Sequence, residues 1–237
     1  IAALAYGIPG VVEPVDVIVG PGNRYVTAAK SIVSSFVKID ALAGPSECLV
    51  VADQSADSST IAADLLAQAE HDDDARAILV TTSKDLLQRV EKDLALQLET
   101  LPSAPTARAA LKNSFAVVVE SLKDTIPVVD AIAPEHLELH FQGAAEYRDL
   151  YANAGAVFVG HHSAEVLGDY GFGPNHVLPT LASARFSSGL SVFTFLRTRT
   201  WIELSQISQA QLAVQDAVDM ARLEGLEAHA RSAEKRL

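Results

Sequence analysis

The chain has 237 residues, 49% of them hydrophobic, enough for one sizeable core or two modest ones. Its formal net charge of -12 and isoelectric point near 4.9 argue against a surface built to track nucleic-acid phosphates, which needs clustered Lys and Arg. A single cysteine, Cys48, excludes an intramolecular disulfide and a thiolate zinc cluster, so any metal must use nitrogen and oxygen ligands.

The opening IAALAYGIPG carries neither a basic leader nor a long apolar run, so no signal peptide and no membrane span is expected. The cytoplasm is the default setting, and Ile1 at the first position suggests a fragment. VDVIVG (15–20) reads as a first buried strand, followed by the turn GPGN, Gly20 to Asn23. A second turn, AGPSE (43–47), leads into the strand ECLVVAD (47–53). Either turn could present backbone N–H groups to a ligand, but neither is a Walker motif and no GxGxxG occurs.

From there, strands and amphipathic helices alternate. SSTIAADLLAQAEHD (58–72) and SKDLLQRVEKDLALQLETL (83–101) have helical apolar spacing behind Ser or Asp caps, with the strand RAILVTT (76–82) between them. LPSAPTAR (101–108) looks like a surface connection. SFAVVVE (114–120) and GAVFVG (155–160) are further strands around the helix SLKDTIPVVDAIA (121–133). This alternation predicts an α/β fold with a largely parallel sheet. Beyond residue 190 the pattern is helical, polar on one side, and contains no further strand; such an arm often docks on another subunit.

Several constellations could carry chemistry. Gln68 and His71, three apart on a predicted helix, project from one face as metal ligands do, yet Gln is an uncommon zinc ligand and such a pair near a helix end is far more often solvated surface. Asp72, Asp73 and Asp74 read as a solvated helix end with no catalytic role. Glu135 and His136 in APEHLELH are adjacent and divergent, so if both act, they act on different atoms. His161 and His162 read as surface. GDYGFGPNHVLPT, Gly168 to Thr180, is too rich in Gly and Pro for a helix or central strand; its Asp169, Asn175 and His176 are either held for binding or belong to an ordinary tight connection. Glu224 and His229 would lie roughly 140° apart on a regular helix, too far around to share one atom, though they could grip two parts of one ligand.

In this order, VGPGNRYVTAAK, LAGPSECLV, LLAQAEHD, APEHLEL, NAGAVFVG, GDYGFGPNHVLPT, SSGLSVFTFLR and EGLEAHARSAEKRL resemble the histidinol dehydrogenase family from one end of the chain to the other. The resemblance implies an incomplete Rossmann-like domain with a C-terminal helical arm: 1–46 as a remnant of the NAD-binding half, 47–190 carrying metal and catalytic residues, and 191–237 as a dimerisation arm. It implies zinc- and NAD-dependent oxidation of histidinol through the aldehyde to histidine, using two NAD. His136 would take the hydroxyl proton and Glu135 would activate the attacking water. The zinc ligands would be Gln68, His71, Asp169 and His229, the last reaching across a homodimer. Ser46, Glu224 and the metal-binding side chains would contact substrate together with His136, and Asn23 would contact NAD.

The family's upstream part is absent from the chain, YGIPGVVEPVDV is irregular for the family, and the stretch between VTAAK and AGPSE is short, which bears on Asn23. A related zinc- and NAD-dependent dehydrogenase of another small alcohol, such as a sulfopropanediol dehydrogenase, shares the same bases and metal. A truncated, non-enzymatic dimerising remnant would keep the fold and lose NAD. A metal hydrolase ranks last because Glu135 is not part of an HExxH helix.

Overall fold

The computed structural model describes residues 1–173, 175–206, 208 and 210–237; Pro174 of the glycine-rich loop and Ile207 and Gln209 ahead of the C-terminal helices lie outside the described residues. The chain forms two compact units, Ile1–Phe195 and Leu196–Leu237.

The first unit begins with α1 (Ala2–Tyr6), β1 (Val17–Ile18), α2 (Arg24–Val33) and β2 (Lys38–Ile39). β1 and β2 form a parallel pair of two residues each, so VDVIVG contributes only its centre to a strand. Lys30 on α2 fastens this part together. Its ammonium group lies 2.6 Å from Asp40 Oδ1 and donates to the carbonyl of Gly20, and both side chains of the pair are buried. Asp40 also accepts from the Gly20 N–H at 2.8 Å.

The main sheet contains β3 (Glu47–Ala52), β4 (Arg76–Thr81), β5 (Phe115–Val118), β6 (His136–His140) and β7 (Ala156–Val159) in the order β5-β4-β3-β6-β7. Every pairing is parallel. Both faces of the central strands are covered, which is why ECLVVA is apolar almost throughout. On one face Cys48, Val50, Ala52, Ala77 and Leu79 pack against Ile61 and Leu65 of α3 (Ser58–Ala69) and Leu86 and Val90 of α4 (Lys84–Leu98). On the other, Leu49, Val51, Ile78, Val80, Leu137 and Leu139 meet Val129 of α6 (Leu122–Ile132), Phe141 and Tyr151.

The helices start where their caps allow. Asp57 accepts from the Thr60 N–H at 2.8 Å, Ser83 accepts from the Leu86 N–H at 3.1 Å, and Ser121 with Asp124 forms a capping box. Three local readings change. The expected surface connection at 101–108 contains α5 (Ala104–Ala110), because Pro105 sits in its first turn, where no N–H is missed. SFAVVVE forms the sheet edge, leaving Phe115 and Val118 exposed instead of buried. HLELH is a strand, although its charged residues did not advertise one, and all five of its residues are buried.

Each helix that follows a strand returns the chain toward the amino edge of the sheet. The end of α3 and the starts of β3, β4 and β6 therefore gather on that edge. Ala133, at the end of α6, adopts the left-handed conformation with φ 51°, which turns the chain through Pro134 and Glu135 directly into β6. After β6 come α7 (Ala144–Tyr147), β7 and the short α8 (Glu165–Asp169).

The second unit is a helical hairpin. α9 (Gln211–Leu223) and α10 (Glu227–Glu234) pack through Val218, Ala221 and Ala230, with Gly225 at φ 75° between them. Glu224 caps the end of α9 and His229 lies on α10, so the angle expected on one continuous helix does not apply. Among the described residues, no helix is long and apolar enough to cross a membrane.

Candidate functional site

A cavity of about 1040 Å³ opens at the amino edge of the sheet. Asn23, Ser46, His71, Glu135, His136 and Asp169 all line it, so six of the residues singled out in the sequence face one space. Gln68 lies in the last turn of α3, one residue before the helix ends, and is almost fully buried. His71 falls just past that end instead of on the helix, its N–H 3.3 Å from the Gln68 carbonyl. Asp169 is the final residue of α8 and not part of a loop. Asp72, Asp73 and Asp74 also line the cavity, as does His176. Glu224 and His229 belong to the second unit, where both are exposed.

Glu135 and His136 do not diverge as expected of neighbours. Glu135 precedes the strand, so its carboxylate swings back, and its Oε2 lies 3.7 Å from His136 Nδ1. That oxygen accepts from the Ser46 hydroxyl at 2.6 Å and from the Glu47 N–H at 3.1 Å. Burial pushes the Glu135 carboxyl up to about 7; the Ser46 and Glu47 hydrogen bonds oppose this, while the charges of Glu47 and Asp169 reinforce it. His136 Nδ1 lies 3.2 Å from the Glu47 carbonyl. A carbonyl can only accept, so Nδ1 carries the hydrogen and Nε2 is left as the basic nitrogen. Burial holds this imidazole below its ordinary value, with Asp169 among the charges that pull it upward.

Glu165, absent from the sequence reading, completes the cluster. Its Oε1 is 3.8 Å from His136 Nδ1, it lines the same cavity, and burial raises it to about 8. Behind it lies a polar seam. Glu138 Oε1 accepts from the Glu165 N–H at 2.6 Å, and its Oε2 is 3.2 Å from His140 Nε2. The same imidazole nitrogen is 3.6 Å from Asp64 Oδ2. Burial and the neighbouring Glu138 charge raise Asp64 to about 7. The period-two alternation of His136, Glu138 and His140 was the signal that could have revealed this seam.

The donors suit a cation. Both polar atoms of the Gln68 amide are buried without a protein partner, a costly state for a primary amide unless a ligand meets it. His71 and Asp169 line the adjoining cavity and add imidazole and carboxylate, which are ordinary ligands of a divalent metal. The Gly20–Asn23 turn forms one wall of the same cavity. Asn23 Oδ1 already caps α2 by accepting from the Tyr25 and Val26 N–H groups, leaving Nδ2 as its remaining donor.

A parallel, doubly covered sheet with an imidazole and a carboxylate converging over a polar cavity defines a Rossmann-like α/β protein. The sequence pattern of the histidinol dehydrogenase family matches residues 1–237. Histidinol dehydrogenase of Rhodopseudomonas palustris is 50% identical over 240 residues, covering 100% of this chain and 55% of that protein. That of Thermus thermophilus is 48% identical over 236 residues, covering 100% and 57%. The crystal structure of histidinol dehydrogenase from Elizabethkingia anophelis superimposes with a TM-score of 0.94 at 41% identity, covering 99% of this chain and 54% of that one. The chain belongs to the histidinol dehydrogenase family, and it spans about half the length of these relatives.

Proposed function

We propose that this chain supplies the acid/base and metal-binding part of an enzyme that oxidises L-histidinol through histidinaldehyde to L-histidine with two NAD. The observation that carries this reading is the convergence of Glu135, held by Ser46 and Glu47, with His136, oriented by the Glu47 carbonyl, on one cavity. His136 Nε2 takes the hydroxyl proton in the alcohol step, for which a buried neutral imidazole is suited. Glu135, as a carboxylate whose pKa lies near neutrality, takes a proton from the water that adds to the aldehyde. Its hydrogen bond from Ser46 fixes the carboxylate, so Ser46 serves it as well as any substrate contact.

Gln68, His71 and Asp169, with His229 from the arm of a second copy, would hold Zn2+, which when bound orients the substrate's imidazole and amine and stabilises charge. NAD, when bound, accepts the hydride. Asn23 and the rest of residues 1–46 would form part of its site, residues 47–190 the catalytic part, and residues 191–237 the dimerisation arm carrying Glu224 toward the substrate. A homodimer with shared sites in the cytoplasm follows from the same reading.

The test is a coupled NADH assay on histidinol with metal analysis, in the full-length protein. His136→Ala should keep its metal and lose the alcohol step. Glu135→Gln should still oxidise the alcohol, form the aldehyde and stall there. His229→Ala should lose metal. If His229→Ala leaves metal content and turnover unchanged, the shared-site reading is wrong.

A further inference from the structure

We infer that Glu138 is a positioning residue, whose buried carboxylate ties α8 to β6 and thereby sets Asp169 and Glu165 relative to His136. The inference rests on the reading of Asp169 as a metal ligand. Strand alternation puts Glu138 on the same face as His136, two residues away. It is fully buried in the middle of β6, and its Oε1 accepts from the Glu165 N–H at 2.6 Å.

That N–H is one of the donors left free at any helix start. The residue at the cap position, Ala164, has no side-chain oxygen and makes no capping bond. The capping role has passed to a strand carboxylate 27 residues earlier in the chain. Its other oxygen lies 3.2 Å from His140 Nε2, which in turn lies 3.6 Å from Asp64, so the carboxylate's rear contacts are charge approaches and the Glu165 N–H is the hydrogen bond that holds it. The far end of α8 is fixed separately. A Cβ on Gly168 would come 3.1 Å from the Phe158 ring on β7, so the helix lies close enough there that any larger residue would push the ring aside by a few tenths of an ångström. From Glu165 to Asp169 the helix rises only ~6 Å, so the position of its first residue bears directly on that of its last.

The experiment uses the full-length protein loaded with Co2+, comparing Glu138→Met, Glu138→Gln and a control, Thr125→Val, which removes the buried hydrogen bond to Tyr151 elsewhere in the core. Chelator competition gives the Co2+ dissociation constant, the visible d–d bands report ligand geometry, and thermal denaturation reports folding. Loss of an outer support typically weakens metal binding about 10- to 100-fold. Glu138→Met should show such a loss with shifted bands and a lower kcat. Glu138→Gln, whose amide oxygen still accepts the N–H, should stay within about threefold of wild type, as should Thr125→Val despite its lower melting temperature. A folded Glu138→Met with wild-type Co2+ affinity and spectrum overturns the inference. If Glu138→Met does not fold, Glu138→Gln decides, and a tenfold loss there overturns it as well. Asp169→Ala is measured beside them; if it binds Co2+ as wild type does, the ligand assignment itself falls, and this inference with it.

Discussion

Replacing Glu135 by Gln should stabilise the metal-free protein in a strongly pH-dependent way. An ordinary glutamate carboxyl titrates near 4.5, and burial lifts this one to about 7. Between those values the folded state holds a proton that the unfolded state has released. Glu135 is therefore without effect on stability below about pH 4.5, and its penalty builds as pH rises from there until it is complete above about 7. At about 1.4 kcal/mol per pKa unit, the native state carries about 3 kcal/mol of destabilisation at ~pH 8. A glutamine stays uncharged throughout. Its effect on the hydrogen bonds from Ser46 and Glu47 is the same at every pH, so the pH-dependent part isolates the ionisation. Urea denaturation of both proteins should show the stability difference shifting in the variant's favour by about 2–3 kcal/mol between ~pH 5 and ~pH 8. A difference that is flat with pH would mean that Glu135 is ionised as freely in the fold as in water, and the basis for calling it a tuned base would be gone.

Lys30→Met should cost about 3–5 kcal/mol in urea denaturation, because it leaves the Asp40 carboxylate buried and unpaired; the double variant with Asp40→Asn should lose less than the two single losses added together. Burial pushes Asp40 up, but Lys30 and the N–H groups of Gly20 and Ala41 outweigh it and hold the carboxyl below 3.8. The pair's contribution should therefore be complete above that value and disappear as acid titrates through the lowered one, which acid unfolding of wild type against Asp40→Asn will show. Gly155→Ala should place a Cβ 2.5 Å from the Glu135 carbonyl oxygen, costing about 1–3 kcal/mol by overpacking. Because that oxygen belongs to the proposed water-activating residue, aldehyde oxidation should fall at least ~10-fold, beyond what the stability loss explains; unchanged turnover would show that the backbone there can yield.

The α/β alternation was legible because β3, β4 and β7 are short apolar runs and α3, α4 and α6 begin at their own Ser and Asp caps. HLELH was not legible as a strand because its burial depends on tertiary partners: His136, Glu138 and His140 are buried polar residues that meet Glu47, Glu165 and Asp64 from elsewhere in the chain. α5 was hidden because Pro105 punctuates a loop and opens a helix equally well, and only its surroundings decide. Among the site residues, Glu135, His136, Gln68, His71 and Asp169 came from motifs with fixed spacing. Glu165 and Glu138 came from no motif. They are linked by one hydrogen bond across 27 residues, which no local pattern encodes. The break at Gly225 was visible as a glycine, yet isolated glycines are tolerated inside helices, and here the left-handed φ settled the matter.

The placement of the cavity at the amino edge of the sheet reverses the usual polarity of such folds. In parallel α/β domains the carboxyl edge collects helix beginnings, whose partial positive charge welcomes phosphates. The opposite edge collects helix endings. Here the closing turn of α3, with its outward carbonyls, points at the space lined by Glu135, Glu165 and Asp169, and helix endings carry roughly half a negative charge each. On the side where Glu135, Glu165 and Asp169 gather, the backbone of α3 thus adds to the negative character that suits a positively charged guest.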